Sequence, residues 1–389
     1  MKICGLIAEY NPFHLGHLKH IDYIKNVLHA EKIVVIMSGN FTQRGEIAVL
    51  DKFTRAKHAI IAGADVVIEL PTVFATANAE VFARGAVNIL DSIGIIDGIC
   101  FGVESGTEQE YITLAKAMND ESKEFKKILK SKLESGISLA KAKAEAVKES
   151  GVEFNEQLIS SPNNVLGLEY VKAILKAQSD IKIFPMKRDG DHNDEQLKKG
   201  VTSATSIRNQ LKIGKQKAVK KCVPPYVFGD LAGYPSEIDV LSVASVLLKS
   251  TEEISKVADC TEGLENRIKA FCKDNHNLED IIEKVSTKRY PKSRIRRIIT
   301  ANLLGINKDL TDDALSNKTY AKILAVNSQS KDLIPLICQN SKIPVLTRKS
   351  DTANLKKTAL KCFEKDVLAS DIYSLITDKT LNEHQMIII

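Results

Sequence analysis

At 389 residues, with 44% hydrophobic and 27% charged side chains, the chain holds enough apolar material for two or three cored domains of an ordinary globular kind. No Trp and only 5% aromatic residues argue against a carbohydrate cleft lined with rings, and no apolar run approaches the roughly 20 residues of a membrane span. The net charge of +6 is a mild pull toward an anionic partner, while seven cysteines standing singly, without zinc spacing, give no expectation of disulfides or structural zinc.

The first hundred residues alternate short β-rich runs with helical patterns. Strands are predicted at 2–8, 33–37, 65–70 and 98–102, and helices at 18–28, 53–62 and 79–93. That alternation implies right-handed βαβ units and an α/β fold with a parallel sheet. Ligands of such sheets bind beyond the carboxyl ends of the strands, here residues 8–17, 37–46, 70–78 and 102–106. Residues 107–150 are polar and helical. A helix over 166–177 and a strand over 181–186 resume the pattern, and a polar loop leads to Ser203-Ala204-Thr205-Ser206-Ile207-Arg208, where another helix begins. Pro224-Pro225 marks a break, which divides the chain into 1–222 and 223–389. The second part is mostly helical over 226–310 and ends in a small α/β unit over 320–376. The opening MKICGLIAEYNPF turns polar too early for a signal peptide, so a reducing, cytoplasmic setting is expected.

Chemistry concentrates after the first strand, in Asn11-Pro12-Phe13-His14-Leu15-Gly16-His17. His14 and His17, three apart, share one face of a first helical turn, beside free backbone N–H groups and the positive dipole end that favour phosphate. Gly16 removes a side chain where an adenine has room to lie on the backbone. The second motif is Ser203 to Arg208. Its hydroxyls supply a cap and phosphate hydrogen bonds, through Ser203 and Thr205, and Arg208 has the reach for a β- or γ-phosphate. Alone that motif is an N-cap with an arginine; paired with His-x-Gly-His it reads as a nucleotide site closed over a triphosphate. Gln43-Arg44-Gly45-Glu46 follows the second strand on the same edge, where Arg44 suits a carboxylate or an RNA phosphate.

These residues resemble the HIGH superfamily of nucleotidyltransferases. More closely, Ala8-Glu9-Tyr10-Asn11-Pro12-Phe13-His14-Leu15-Gly16-His17, Ser38-Gly39-Asn40-Phe41-Thr42-Gln43-Arg44-Gly45-Glu46, Ser161-Pro162-Asn163-Asn164 and the segment from Arg289 to Arg297 resemble the bacterial tRNA(Met) cytidine acetate ligase family. The resemblance implies a Rossmann-like catalytic domain over 1–222 and a tRNA-binding region over 223–389. It implies activation of acetate by ATP, with Mg²⁺ on the triphosphate, to acetyl-adenylate. Transfer to the wobble cytidine of elongator tRNA(Met) then gives N4-acetylcytidine. Its ATP contacts carry over to Ile7, Ala8, Glu9, Tyr10, Asn11, Pro12, Phe13, His14, Leu15, Gly16, His17, Leu18, Lys19 and His20, to Gly102, to Asn163 or its neighbour Asn164, and to Arg188. After Arg188 the chain departs from the family's Tyr-His-Asp-like loop with Asp189-Gly190-Asp191-His192-Asn193-Asp194.

The segment 287–298 carries Lys288, Arg289, Lys292, Arg294, Arg296 and Arg297 with no acid among them. In a chain that makes adenylates, this favours RNA phosphates over a merely solvated helix face. Lys212, Lys215, Lys217, Lys220 and Lys221 extend the cationic content. No dedicated metal cage is evident near the site, so no protein metal ligands are expected. Two other functions fit the same motif: an adenylyltransferase for a phosphorylated small molecule, and a nucleotide-sensing RNA-binding protein without catalysis.

Overall fold

A computed structural model describes residues 1–119, 122–135, 137, 139–188 and 203–389. The departing loop at 189–194 lies outside them. The chain opens with β1 (Ile3–Ala8), α1 (Leu15–Asn26), β2 (Lys32–Ser38), α2 (Lys52–Ile61), β3 (Val66–Leu70), α3 (Ala79–Ser92) and β4 (Gly98–Val103). After shorter helices come α4 (Pro162–Ala177) and β5 (Lys182–Lys187). The strand order β5-β4-β1-β2-β3 is parallel throughout, so the chain reverses its direction of travel between β1 and β4. That is the switch point where such sheets bind ligands.

Burial on both faces explains why the central strands read as unbroken apolar runs. In β2, Ile33, Val35 and Met37 pack on one layer with Ile21, Ile24, Ala56 and Ala59, while Val34 and Ile36 pack on the other with Val66, Ile68 and Val87. Each Val, Ile or Met among them contributes about 1.5–3 kcal/mol by leaving water, so the site rests on a stiff support.

Helices then dominate: α5 (Ala204–Lys212), α6 (Ile238–Leu248), α7 (Leu264–Asp274), α8 (Leu278–Val285) and α9 (Lys292–Leu303) are the principal ones up to residue 303. The expected last α/β unit is present as β6 (Ala321–Val326), β7 (Val345–Leu346) and α10 (Lys357–Thr377), with a two-residue β8 (Ile387–Ile388). It is not free-standing. β6 joins β3 antiparallel, and β7 and β8 pair with β6, so the C-terminal strands finish the sheet begun by the N-terminal ones.

Ionic contacts seal that junction. Buried Lys52 donates to Glu69 at 2.7 and 2.9 Å and to Glu383 at 2.6 Å, Lys322 pairs with both carboxylates, and Ser370 donates to Glu383 at 2.6 Å. Among the described residues no disulfide forms, and no helix is long and apolar enough to cross a membrane.

Candidate active site

The loop from β1 to α1 is held before any side chain of the His motif is placed. Arg55, fully buried, donates from Nη1 to the Glu9 carbonyl at 2.6 Å and the Ser38 carbonyl at 3.0 Å, from Nε to the Leu50 carbonyl at 2.8 Å, and from Nη2 to the Gly39 carbonyl. One guanidinium thus binds the ends of β1 and β2 together. Tyr10 takes a positive φ of 50°, uncommon for an aromatic residue, and its buried ring meets Phe13 and, edge-on, His17, each at 4.8 Å.

His14 is the N-cap of α1: its Nδ1 accepts the Gly16 N–H at 3.0 Å. His17 returns the contact, its Nδ1 accepting the His14 N–H at 3.2 Å. This is a capping box built from two imidazoles, which satisfies two of the orphan donors at a helix start. Both rings accept through Nδ1, so the neutral form of each carries its hydrogen on Nε2. The rings stack at 3.7 Å between centroids. Burial first, then His14, Arg188 and His20, hold His17 well below its ordinary 6.5; burial, then Arg188, pushes His20 down to about 4. His17 and His20 are therefore uncharged donors at neutral pH. His20 Nε2 lies 3.2 Å from the Cys100 thiol on β4, which ties the HIGH-motif helix to the other side of the switch point.

Gly16 has a different reason to be glycine from the one expected. A Cβ there would fall 2.8 Å from His14 Cε1 and 3.0 Å from its Nδ1, so the space assigned to an adenine is filled by the His14 ring.

Across the switch point, a Cβ on Gly102 would lie 3.0 Å from Arg188 Cδ, so the arginine stem runs over this glycine. Arg188 follows β5, its N–H donating to the Val103 carbonyl at 2.8 Å. Asn163 donates to Glu104 Oε1 at 2.5 Å, and Ser161 to Glu104 Oε2 at 2.8 Å. Asn164 is wholly buried and fully committed: Oδ1 accepts the Glu104 N–H at 2.9 Å, and Nδ2 donates to Ser105 Oγ and the Gln157 carbonyl. Asn164 therefore shapes the loop. Sequence reasoning missed Glu104 and Arg55, since a lone acid after a strand and an arginine inside a helix carry no spacing signal.

Ser203 caps α5, its hydroxyl accepting the Ser206 N–H at 3.1 Å. Arg208 is buried. It donates to the Asn11 carbonyl at 2.9 Å and Thr205 Oγ1 at 3.3 Å, and pairs with Glu46 at 2.9 Å. The motif from Ser203 to Arg208 therefore docks on the His loop, with Glu46 as the counter-ion of Arg208.

The cationic segment is not bare in three dimensions. Arg289 pairs with Glu262, Lys292 with Glu283, Arg296 with Glu279 at 2.5 Å and Arg297 with Asp259 at 3.5 Å. Arg294 donates to the Asp259 carbonyl at 2.7 and 3.0 Å, and Lys288 is exposed. A run free of acids along the chain thus meets acids brought by neighbouring helices. Of the lysine run, Lys212 pairs with Glu279 at 3.0 Å.

A Rossmann-like sheet that presents a mutually capped histidine pair at its switch point defines a HIGH nucleotidyltransferase, and the family model described as HIGH Nucleotidyl Transferase matches residues 1–386. The tRNA(Met) cytidine acetate ligase of Acetivibrio thermocellus is 39% identical over 96% of this chain and 94% of its own, and that of Clostridium perfringens 35% over 97% and 96%. Thermotoga maritima TmcAL matches in two crystal structures over the whole of both chains, with a TM-score of 0.93 for the apo form at 30% identity and 0.89 for the form bound with alpha-thio ATP at 29%. The chain belongs to the tRNA(Met) cytidine acetate ligase family.

Proposed function

We infer that this chain is an ATP-dependent ligase that activates acetate to acetyl-adenylate and passes the acetyl group to the wobble cytidine of elongator tRNA(Met), giving N4-acetylcytidine. The observation that carries the reading is the His14–His17 pair, locked through both Nδ1 atoms at the switch point. Acetate oxygen attacks the α-phosphorus, the bond to the bridging oxygen breaks, and pyrophosphate leaves. The cytidine amine then attacks the acetyl carbonyl, AMP leaves, and the amine gives up a proton. No protein nucleophile is needed: the fold supplies position and preorganised charge. The Nε2–H groups of His14 and His17 donate to α-phosphate oxygens, and His17, held uncharged at neutral pH, does so without a proton being moved. Residues 7–20, Gly102 and Asn163 hold the nucleoside and α-phosphate, while Arg188, Ser203, Thr205 and Arg208 receive the leaving pyrophosphate.

Mg²⁺ enters with ATP as part of the substrate, bound to the triphosphate. Residues 1–222 carry the ATP chemistry, and 223–389 carry tRNA, with Lys288, Arg289, Lys292, Arg294, Arg296 and Arg297 as its phosphate contacts.

Labelled acetate, ATP and elongator tRNA(Met) are incubated with the protein and the tRNA nucleosides analysed by mass. Labelled N4-acetylcytidine is expected, and pyrophosphate release should require acetate but no phosphorylated acceptor. Pyrophosphate release indifferent to acetate would favour an adenylyltransferase instead. The absence of any turnover would leave a nucleotide-sensing binder.

A further inference from the structure

Glu46 stands where the two halves of the proposed machinery meet. Gly45 before it has a φ of +71°, and a Cβ there would fall 2.8 Å from the backbone of Arg296 and of Arg297 in α9. Its carbonyl accepts Thr300 Oγ1 at 2.7 Å. The loop after β2 is thereby pressed onto α9, and the Glu46 carboxylate is carried to a fixed place facing α5. There it meets Arg208 Nη2 at 2.9 Å and Lys212 at 3.9 Å. Lys212 continues to Glu279 at 3.0 Å, and Glu279 to Arg296 at 2.5 Å. At the other end, Arg208 donates to the Asn11 carbonyl in the His loop, and its buried Nε has no acceptor among the described residues. Despite burial, Arg208, Lys212, Arg296 and Arg44 hold the Glu46 carboxyl below its ordinary range. A single line of ion pairs joins the adenylating loop to the cationic helix.

A guanidinium only 5% exposed is expensive to leave without a counter-charge. We propose that Glu46 is a positioning residue that holds Arg208 ready for the leaving pyrophosphate. Through Lys212, Glu279 and Arg296 it also couples pyrophosphate and tRNA phosphates against each other, since each anion frees Glu46 to pair with the cations the other needs. The inference rests on the proposed function, which places the triphosphate at Arg208 and RNA along α9. When pyrophosphate draws Arg208, Glu46 turns to Lys212 and Arg296. When RNA phosphates draw those two, Glu46 closes on Arg208 again and pyrophosphate loses its hold. Adenylation and acyl transfer then fall into sequence, with tRNA settling as pyrophosphate departs.

Pyrophosphate affinity is titrated with and without elongator tRNA(Met) in the wild type and in Glu46→Gln, Glu279→Gln and Arg208→Ala. In the wild type tRNA should weaken pyrophosphate binding by about 5-fold or more, the lower range of ordinary coupling between sites. In Glu46→Gln that effect should shrink below about 2-fold, and pyrophosphate alone should bind more tightly because its competitor is gone. Glu279 is half exposed, so Glu279→Gln tests the far end of the line without a buried change. It should keep wild-type pyrophosphate affinity alone yet lose the tRNA effect. A wild type without a tRNA effect, or a full effect in both Glu variants, overturns the proposal. Unchanged pyrophosphate affinity in Arg208→Ala would instead remove the triphosphate from Arg208, a failure of the underlying reading.

Discussion

Gly16→Ala separates catalysis from stability at a single atom. The added Cβ would fall 2.8 Å from His14 Cε1 and 3.0 Å from Nδ1, closer than nonbonded atoms tolerate, so the imidazole must swing away. It then loses the Gly16 N–H it accepts and the stack on His17 at 3.7 Å. Losing an N-cap costs about 1 kcal/mol, but alanine regains up to about 1 kcal/mol over glycine inside a helix. The two nearly cancel, and the melting temperature should move by no more than a few degrees. The rate has no such compensation. With His14 Nε2–H displaced, one transition-state donor is lost, worth about 10²–10³-fold. Initial rates of acetate-dependent pyrophosphate release at saturating ATP, measured beside a thermal melt, give both numbers. A well-folded Gly16→Ala protein with the wild-type rate would refute the role given to His14.

Three further outcomes follow from the same geometry. Protonation of His17 and His20 should not lower adenylation as pH drops through about 6.5, where an ordinary imidazole protonates, because both are held far lower. A titration step at that pH, abolished in His17→Asn, would contradict this. Their depressed folded values also mean that the unfolded chain takes up protons first, so stability present above about pH 6.5 is lost progressively toward 4, which urea melts at several pH values would follow. Glu383→Ala leaves buried Lys52 and Lys322 sharing one carboxylate, Glu69; a loss of about 3–5 kcal/mol in urea denaturation is expected, and a loss under about 1 kcal/mol would show that the cluster is not coupled. Arg188→Ala should weaken ATP use while tRNA binding stays nearly intact; the reverse pattern in paired titrations would move the triphosphate elsewhere.

Legibility in the sequence followed the range of the forces involved. The strands at 33–37, 65–70 and 98–102 fall within one residue of β2, β3 and β4 at each end, because short, mostly apolar runs between helical patterns have few other solutions. His14, Gly16 and His17 were visible because their contacts are local: a cap, its return and the glycine beneath. What the chain hid depends on partners far apart along it. β6 is a short apolar strand with nothing in it to say that it joins β3 antiparallel across 250-odd residues. Nothing in the sequence around Lys52 signals that its ammonium is buried by Glu69 and Glu383, partners far along the chain. Arg208 has the reach for a phosphate, but nothing in either segment fixes its approach to Glu46.

The cationic helix shows what that blindness does to an argument from charge. Counted along the chain, six cations without an acid suggest six phosphate contacts, each adding about 0.9 to the salt slope of binding. In space Glu262, Glu283, Glu279 and Asp259 already pair with four of them, and Arg294 donates to the Asp259 carbonyl. A phosphate that takes Arg289 or Lys292 leaves a carboxylate behind, which recruits a cation from solution and cancels part of the release. Removing arginines is thus a blunt test, the more so because Arg294 also fixes the backbone at Asp259, whose φ is 65°. Removing the acids is sharper. Glu262 and Glu283 are exposed to 43% and 65% and belong to neither proposed site. The double variant Glu262→Gln, Glu283→Gln should bind elongator tRNA(Met) more tightly at low salt and steepen the slope by up to about 1.8, two phosphates' worth. Acetate-dependent pyrophosphate release should be untouched. Titrations at four or five salt concentrations decide the matter: an unchanged slope would mean that RNA does not lie on Arg289 and Lys292, and that these ion pairs only brace the helices that carry them.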